Sequence, residues 1–323
     1  MRILRRISLI GAHVLSVLAL CCASTRGAQL SVPPTATNIL DKIYSFDTDA
    51  AISAARSMQQ EQPTHPLGYL LEAEAVWWKM WCTSADFRYG MTDVRHRPKR
   101  GDDQAYLKFA AKVTALAEEQ LRQQETAEMH FYAGMGEALA ARLYPLRGEN
   151  RNAARAGVRA RAHFLRALQL DPTLADADLG VGLYNYYVDT LSSVARVLRF
   201  FMGIPGGSKQ EGIRELEQAI SKGVLTPNLA RFYLAMNLHR YDLQYERALA
   251  VIGPLADSYP SNPLFQLVRG DLYAKLNRKE QALASYRAAA AMTVNDAECA
   301  AHIKGLVRAS LKALGASEMR IDP

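Results

Sequence analysis

Backbone amides at glycines followed by a lysine can cradle an anion, so Gly203-Ile204-Pro205-Gly206-Gly207-Ser208-Lys209 invites a phosphate-binding reading. Its spacing fails. Ser208 stands five residues after Gly203 where a glycine is needed, Gln210 follows Lys209 where Ser or Thr is needed, and no strand precedes the loop. A turn entering a helix at Lys209 is sufficient. Seven histidines and 32 carboxylates never form HExxH, and no GxSxG elbow occurs, so metal hydrolysis and serine acyl transfer lack their signatures. His130, His163 and His239 read as isolated packed histidines, and Asp47 and Asp49 as helix caps. The expectation is therefore a protein that binds rather than catalyses, with no cofactor and no metal site.

Two groups of residues suit binding. Arg151, Arg155, Arg159 and Arg166 fall within an 80° arc at 100° per residue, a stripe opposite the packing positions Ala160, Phe164 and Ala167. A solvated outer face is its simple meaning, and docking to an anionic partner or lipid headgroups is the alternative. The run Arg95-His96-Arg97-Pro98-Lys99-Arg100 reads the same way in a loop, and neither group has the interleaved aromatics of a single-strand nucleic-acid platform. All three tryptophans, Trp77, Trp78 and Trp81, sit within five residues, and Trp77 and Trp78 are 100° apart, so at least one of that pair is expected to border a groove while the rest fill core.

The elements that position these residues are helices. Apolar spacing between prolines is helical rather than alternating, which leaves strands hard to place. Phe232, Ala235, Met236, His239, Ala248, Ile252, Leu255 and Pro260 align without a gap on Gln266, Arg269, Gly270, Tyr273, Ala282, Tyr286, Ala289 and Val294, an offset of 34 throughout. Upstream, Tyr132, Met135, Gly136 and Leu139 pair with Ala160, Phe164 and Ala167 through lengthened helices around Pro145 and Gly148. Asp178 to Asn185 pairs with Gly212, Leu216 and Ala219 across an insertion at about 191–208, and Pro66 to Trp81 with about Asp103 to Gln123. A last amphipathic helix, about Asp296 to Leu314, would cover the open end.

This pattern resembles the tetratricopeptide-repeat superfamily over about residues 38–315, with its period of 34 and small residues where paired helices approach. The order Tyr44-Ser45-Phe46-Asp47, His65-Pro66-Leu67-Gly68-Tyr69, then Gly180-x-Gly182-Leu183-Tyr184-Asn185-Tyr186-Tyr187 before Gly206 to Gly212 is similar to the tetratricopeptide repeat protein 39 family. The resemblance implies an all-α, right-handed α-solenoid of antiparallel helix pairs with a C-terminal capping helix, and a noncatalytic adaptor role. Its concave groove, formed mainly by the first helix of each pair, would present Glu74, Trp77 and Trp78, then Tyr186 and Tyr187, then Asn237, Arg240 and Tyr241 to a protein or peptide. The alternatives are an envelope-assembly factor contacting lipid or glycan, and an enzyme whose site is assembled in the groove.

Residues 1–6 carry three arginines, Ile7 to Leu20 is mostly apolar, and no acidic residue precedes Asp41. That is the order of a secretory signal, with cleavage expected after Ala23 or as late as Ala28. A linker would follow over 24–37, the repeat domain over 38–315 and a tail over 316–323. Leu20 before Cys21 disfavours a lipoprotein signal, and Arg5-Arg6 is weak support for a twin-arginine one. The expected destination is a bacterial periplasm or envelope. Without the three leader arginines the net charge falls from +7 to +4 over a chain of 323 residues, too little for a nucleic-acid binder. Peripheral membrane contact stays open. Cys82 and Cys299, 217 residues apart, are not expected to meet in an elongated stack.

Overall fold

The computed structural model describes residues 30–88, 91–94, 101–191, 199 and 203–316. The expected leader (1–23), residues 24–29 of the expected linker, the Arg95 to Arg100 run, most of the insertion after Leu191 and the tail from residue 317 lie outside the described residues.

The described chain is predominantly helical, and each helix packs on the next. Along the chain they are α1 (Pro34–Tyr44), α2 (Thr48–Glu61), α3 (Leu67–Ser84), α4 (Gly101–Gln123), α5 (Ala127–Leu143), α6 (Asn150–Leu170), α7 (Asp178–Asp189), α8 (Lys209–Lys222), α9 (Pro227–Arg240), α10 (Tyr245–Ser258), α11 (Pro263–Lys275), α12 (Lys279–Ala291) and α13 (Ala297–Ala313). The first helix starts inside the expected linker, with Ala36, Ile39, Ile43 and Tyr44 buried. Local chemistry sets the boundaries. Asp47, Thr126, Ser208, Asn262 and Asp296 accept hydrogen bonds from the first-turn amides of α2, α5, α8, α11 and α13, and proline opens α1, α9 and α11, where its missing N–H has no helical partner to lose.

Strands were not expected, yet Ala85–Arg88 (β1) and Met91–Val94 (β2) form an antiparallel hairpin, with Ala85 opposite Val94 and Arg88 opposite Met91. It follows α3 directly and lies against α9, α11 and α13. Four residues per strand is too short a run for alternation to show in a sequence.

Small residues let the helices approach, as the repeat register requires. A Cβ on Gly270 in α11 would lie 2.7 Å from the Tyr286 ring of α12. In the longer repeats the Phe164 ring of α6 occupies the space over both Gly134 of α5 and Gly180 of α7, where a Cβ would lie 2.8 and 1.9 Å from it.

The odd-numbered helices form an inner layer, α1 touching α3, α3 touching α5, α5 touching α7 and α7 touching α9. The expectation of an open stack is corrected at its ends, because α13 packs on α3 as well as on α11 and α12. Cys82 of α3 and Cys299 of α13 form a disulfide, contrary to the expectation from their separation. Beside it, Tyr259 Oη donates to Asp41 Oδ1 (2.8 Å), Asn262 Nδ2 to the Tyr44 carbonyl (2.9 Å), and Ser261 Oγ to the Ser45 carbonyl (3.0 Å). Packing of α13 on α3 brings the two cysteines together however distant they are in sequence.

Candidate functional site

The residues expected to line a groove come from α3, α7 and α9, all in the inner layer, and the structure sorts them into two sets. Trp78 is core. Only 1% of its surface is exposed, and its ring meets Phe232 at 4.9 Å, Phe265 at 5.5 Å, Trp81 at 5.9 Å and Tyr44 at 6.0 Å. Tyr186 is also fully buried, donating from its hydroxyl to the Asn237 carbonyl (3.1 Å) and to Asp242 Oδ2 (2.9 Å). For these two the groove expectation is corrected, because closure of the inner layer brings aromatic rings from both chain ends onto Trp78 and the turn after α9 covers Tyr186.

Trp77 points elsewhere, to a polar cluster. The Arg142 guanidinium of α5 lies 4.5 Å from the Trp77 ring, its Nη1 donates to Glu74 Oε2 (3.0 Å) and its Nε to the Tyr106 hydroxyl (2.5 Å), which in turn donates to the Leu139 carbonyl (3.1 Å). Burial pushes the hydroxyls of Tyr44, Tyr106 and Tyr233 above their ordinary range. Desolvation pulls the Arg142 pKa down, but Glu74, Tyr106 and Tyr233 together hold it above its usual value. Glu74 and Trp77, both buried, are thus the floor of the inner face rather than its open surface.

Tyr233, Asn237 and Arg240 follow one another at spacings of four and three on α9, so they share one face. Tyr233 lies in the field of Glu74 and Arg142 at one end and of Tyr187 at the other. Tyr187 is 37% exposed and Tyr241 43%, with their rings 6.2 Å apart in an edge-to-face contact. Surrounding protein nevertheless desolvates the Tyr187 hydroxyl enough to raise its pKa, with Tyr241 and Tyr233 adding to the shift. Water thus reaches the Tyr187 ring while its hydroxyl is enclosed by protein. Arg240 is exposed and lies over the Tyr241 ring at 5.2 Å, while Asn237 is 1% exposed. The inner face thus runs from Tyr187, Tyr241 and Arg240 at the mouth, past Tyr233 and Asn237, to Glu74, Arg142 and Trp77 at the floor.

The arginine stripe is less open than expected. Arg159 makes a two-pronged pair with Glu137 (both 2.7 Å) and Arg166 with Glu125 (both 2.8 Å). Arg151 and Arg155 are exposed, with no ion pair among the described residues. His130 and His163, expected to be isolated, meet with their Nδ1 atoms 3.0 Å apart. Glu125 Oε1 lies 3.1 Å from His130 Nε2 and accepts a hydrogen bond from it, which in neutral His130 leaves Nδ1 to accept from His163. They lie on α5 and α6, the two helices of one pair, so their meeting is visible in the sequence only once those helices are paired.

Arg142, Tyr106 and Tyr233 were not legible as site residues. Tyr233 could have been found from its spacing to Asn237, but nothing local to Arg142 marks it as the partner of a carboxylate 68 residues away. Lys209 opens α8 as expected, its amide donating to Asp189 Oδ2 (2.9 Å) and its ammonium pairing with Asp242. Among the described residues no three His, Cys, Asp or Glu side chains are arranged to hold a metal ion, and no helix is long and apolar enough to cross a membrane. The chain matches no protein-family model and no curated protein.

Proposed function

We propose that this protein is an exported, noncatalytic adaptor of the tetratricopeptide-repeat kind, a right-handed solenoid that holds a protein or peptide segment against its inner face. One observation carries the reading. Tyr187 and Tyr241 present adjoining exposed aromatic surface beside the exposed Arg240, on a face that Tyr233, Asn237, Glu74 and Arg142 continue inward. Tyrosine gives large contact area at little cost in conformational entropy, and polar groups set deeper select what enters.

Two features support export. The leader-like N-terminus has the order of a secretory signal, and a buried disulfide is a bond that persists in oxidising compartments and is uncommon in reducing ones. A second reading, contact with an anionic surface or headgroup, rests on Arg151 and Arg155 alone and places that contact on the outer side of α6.

The test is panning of a displayed random-peptide library on the mature, oxidised chain, beside a Tyr187→Ala/Tyr241→Ala variant of unchanged melting temperature. Enrichment on the wild type and none on the variant is expected. Equal enrichment on both would remove the inner face as the binding surface.

A further inference from the structure

Exposed apolar surface is gathered at one place on the molecule. Among the described residues six large hydrophobic side chains are exposed, and four of them, Tyr187, Leu191, Tyr241 and Leu243, lie in the last turn of α7, just beyond it, or in the turn that follows α9. The Tyr187 and Tyr241 rings meet at 78° with centroids 6.2 Å apart, and the buried Tyr186 ring backs both, at 5.8 and 6.1 Å. The pair therefore offers aromatic surface in two planes at nearly a right angle.

Leu243 is the residue that its surroundings do not account for. It is 60% exposed and has φ of 54°, in the left-handed region that a branched side chain rarely adopts. The Gln244 amide donates to the Leu238 carbonyl (2.9 Å), which closes the end of α9 and makes Leu243 the residue just past it, a place where glycine or asparagine is usual. One repeat offset of 34 further on, Asn277 holds the equivalent place with φ of 58°. Leucine in this turn strains the backbone and buries little, so its retention points to something the side chain touches from outside the fold.

The form of the surface selects among partners. Its walls are helix ends whose amides are already used, Thr190 donating to the Tyr186 carbonyl (3.2 Å) and Tyr241 to the Asn237 carbonyl (2.9 Å), so an extended β segment would find no strand edge to pair with. An amphipathic helix needs apolar anchors over about two turns, whereas Asp189, Arg240, Asp242 and Gln244 interrupt the apolar residues here. A polyproline II segment needs neither, because its backbone stays hydrated, its conformation is set before binding, and its rings pack on aromatic side chains. We infer that, within the peptide-binding reading above on which this rests, Tyr187, Tyr241 and Leu243 form a docking pad for a proline-rich segment in the polyproline II conformation, a proline ring lying against the two tyrosines and a neighbouring apolar residue against Leu243.

The experiment uses peptides selected by the panning above on the mature, oxidised chain. Their consensus is expected to carry two prolines, adjacent or one turn of about three residues apart. Synthetic versions with Ala in place of those prolines should bind at least about 10-fold more weakly, since ring contacts are lost and the segment must be ordered on binding. Leu243→Asn, which copies the next repeat, should bind the proline peptides at least about 3-fold more weakly while melting no lower than the wild type, because asparagine tolerates the left-handed backbone. A leucine that served only packing would give the reverse, a lower melting temperature and unchanged binding by the folded protein, and that result overturns the pad. Enriched peptides without proline, or proline peptides that tolerate Ala, overturn the pad and leave the inner-face reading intact. No enriched peptide on the oxidised chain, or equal enrichment on Tyr187→Ala/Tyr241→Ala, overturns both readings.

Discussion

Cys82 and Cys299 are bonded, their Cα atoms 5.6 Å apart, although 217 residues separate them in the chain. The bond ties the end of α3 to the first turn of α13 and so makes the inner layer of helices return on itself. It is buried in the seam that also holds Trp78 against Phe232 and Phe265, so covalent closure and aromatic packing reinforce each other at one place.

Closing a loop of this length restricts the unfolded chain strongly, and removing the bond by Cys82→Ser/Cys299→Ser should lower stability by about 2–5 kcal/mol. Urea midpoints of the wild type with and without reductant measure the same quantity. Equal midpoints would mean that packing alone closes the structure.

At Gly270 even one methyl group has no room. The Tyr286 ring lies 2.7 Å from its position, and that ring is pinned by its own hydrogen bond to Asp271 (2.5 Å). Gly270→Ala should cost about 1–3 kcal/mol, and Gly270→Leu no less. Gly305 in α13 is the control, since it is exposed, nothing lies within 4 Å of a Cβ there and Gly305→Ala should gain up to about 1 kcal/mol from helix propensity. Chemical denaturation of the two variants should therefore move in opposite directions.

The Glu74–Arg142 pair should behave as a unit. Glu74→Leu leaves a guanidinium without its counter-charge, at a cost of about 3–5 kcal/mol, whereas Glu74→Leu/Arg142→Met should recover most of that loss because no charge is then buried. A double variant no more stable than the single one would show that Arg142 is held chiefly by Tyr106 and Trp77.

Acid should weaken the fold through His239. Burial holds its pKa down at about 4, against about 6.5 in the unfolded chain, so the unfolded state binds the proton first. Stability from this residue is intact above about pH 6.5 and falls progressively towards pH 4, by about 3 kcal/mol in all. Asp178 works in the other direction. Burial, with Glu215 nearby, raises its pKa to about 6, so protonating it as pH falls through 6 favours the folded state. Urea titrations of wild type and His239→Gln at pH 7 and pH 4.5 separate the two, the variant losing less stability than the wild type over that interval.

The exposed mouth should be dispensable for folding. Tyr241→Ala with Arg240→Ala removes exposed side chains and should change stability by no more than about 1 kcal/mol while abolishing capture of peptides selected on the wild type. Lost stability with capture unchanged in the folded fraction would make these residues packing rather than contact.

Periodic spacing was enough to place most helices. The offset of 34 and the small residues at Gly270 and Ala282 are consequences of close helix pairing, which is local and therefore written locally. Capping chemistry at Asp47, and the turn before Lys209, marked where helices begin for the same reason. The tertiary structure alone decided that α3 and α13 meet, since the contact that brings Cys82 to Cys299 joins segments 217 residues apart and no single segment records it. It also decided which of two adjacent tryptophans is core. Trp77 and Trp78 differ by 100° around α3, and only the arrival of Arg142 on one side, and of Phe232 and Phe265 on the other, gives them separate roles. Arg142 itself was hidden because a buried ion pair depends on what faces it across the fold, and the residue it faces is 68 positions away.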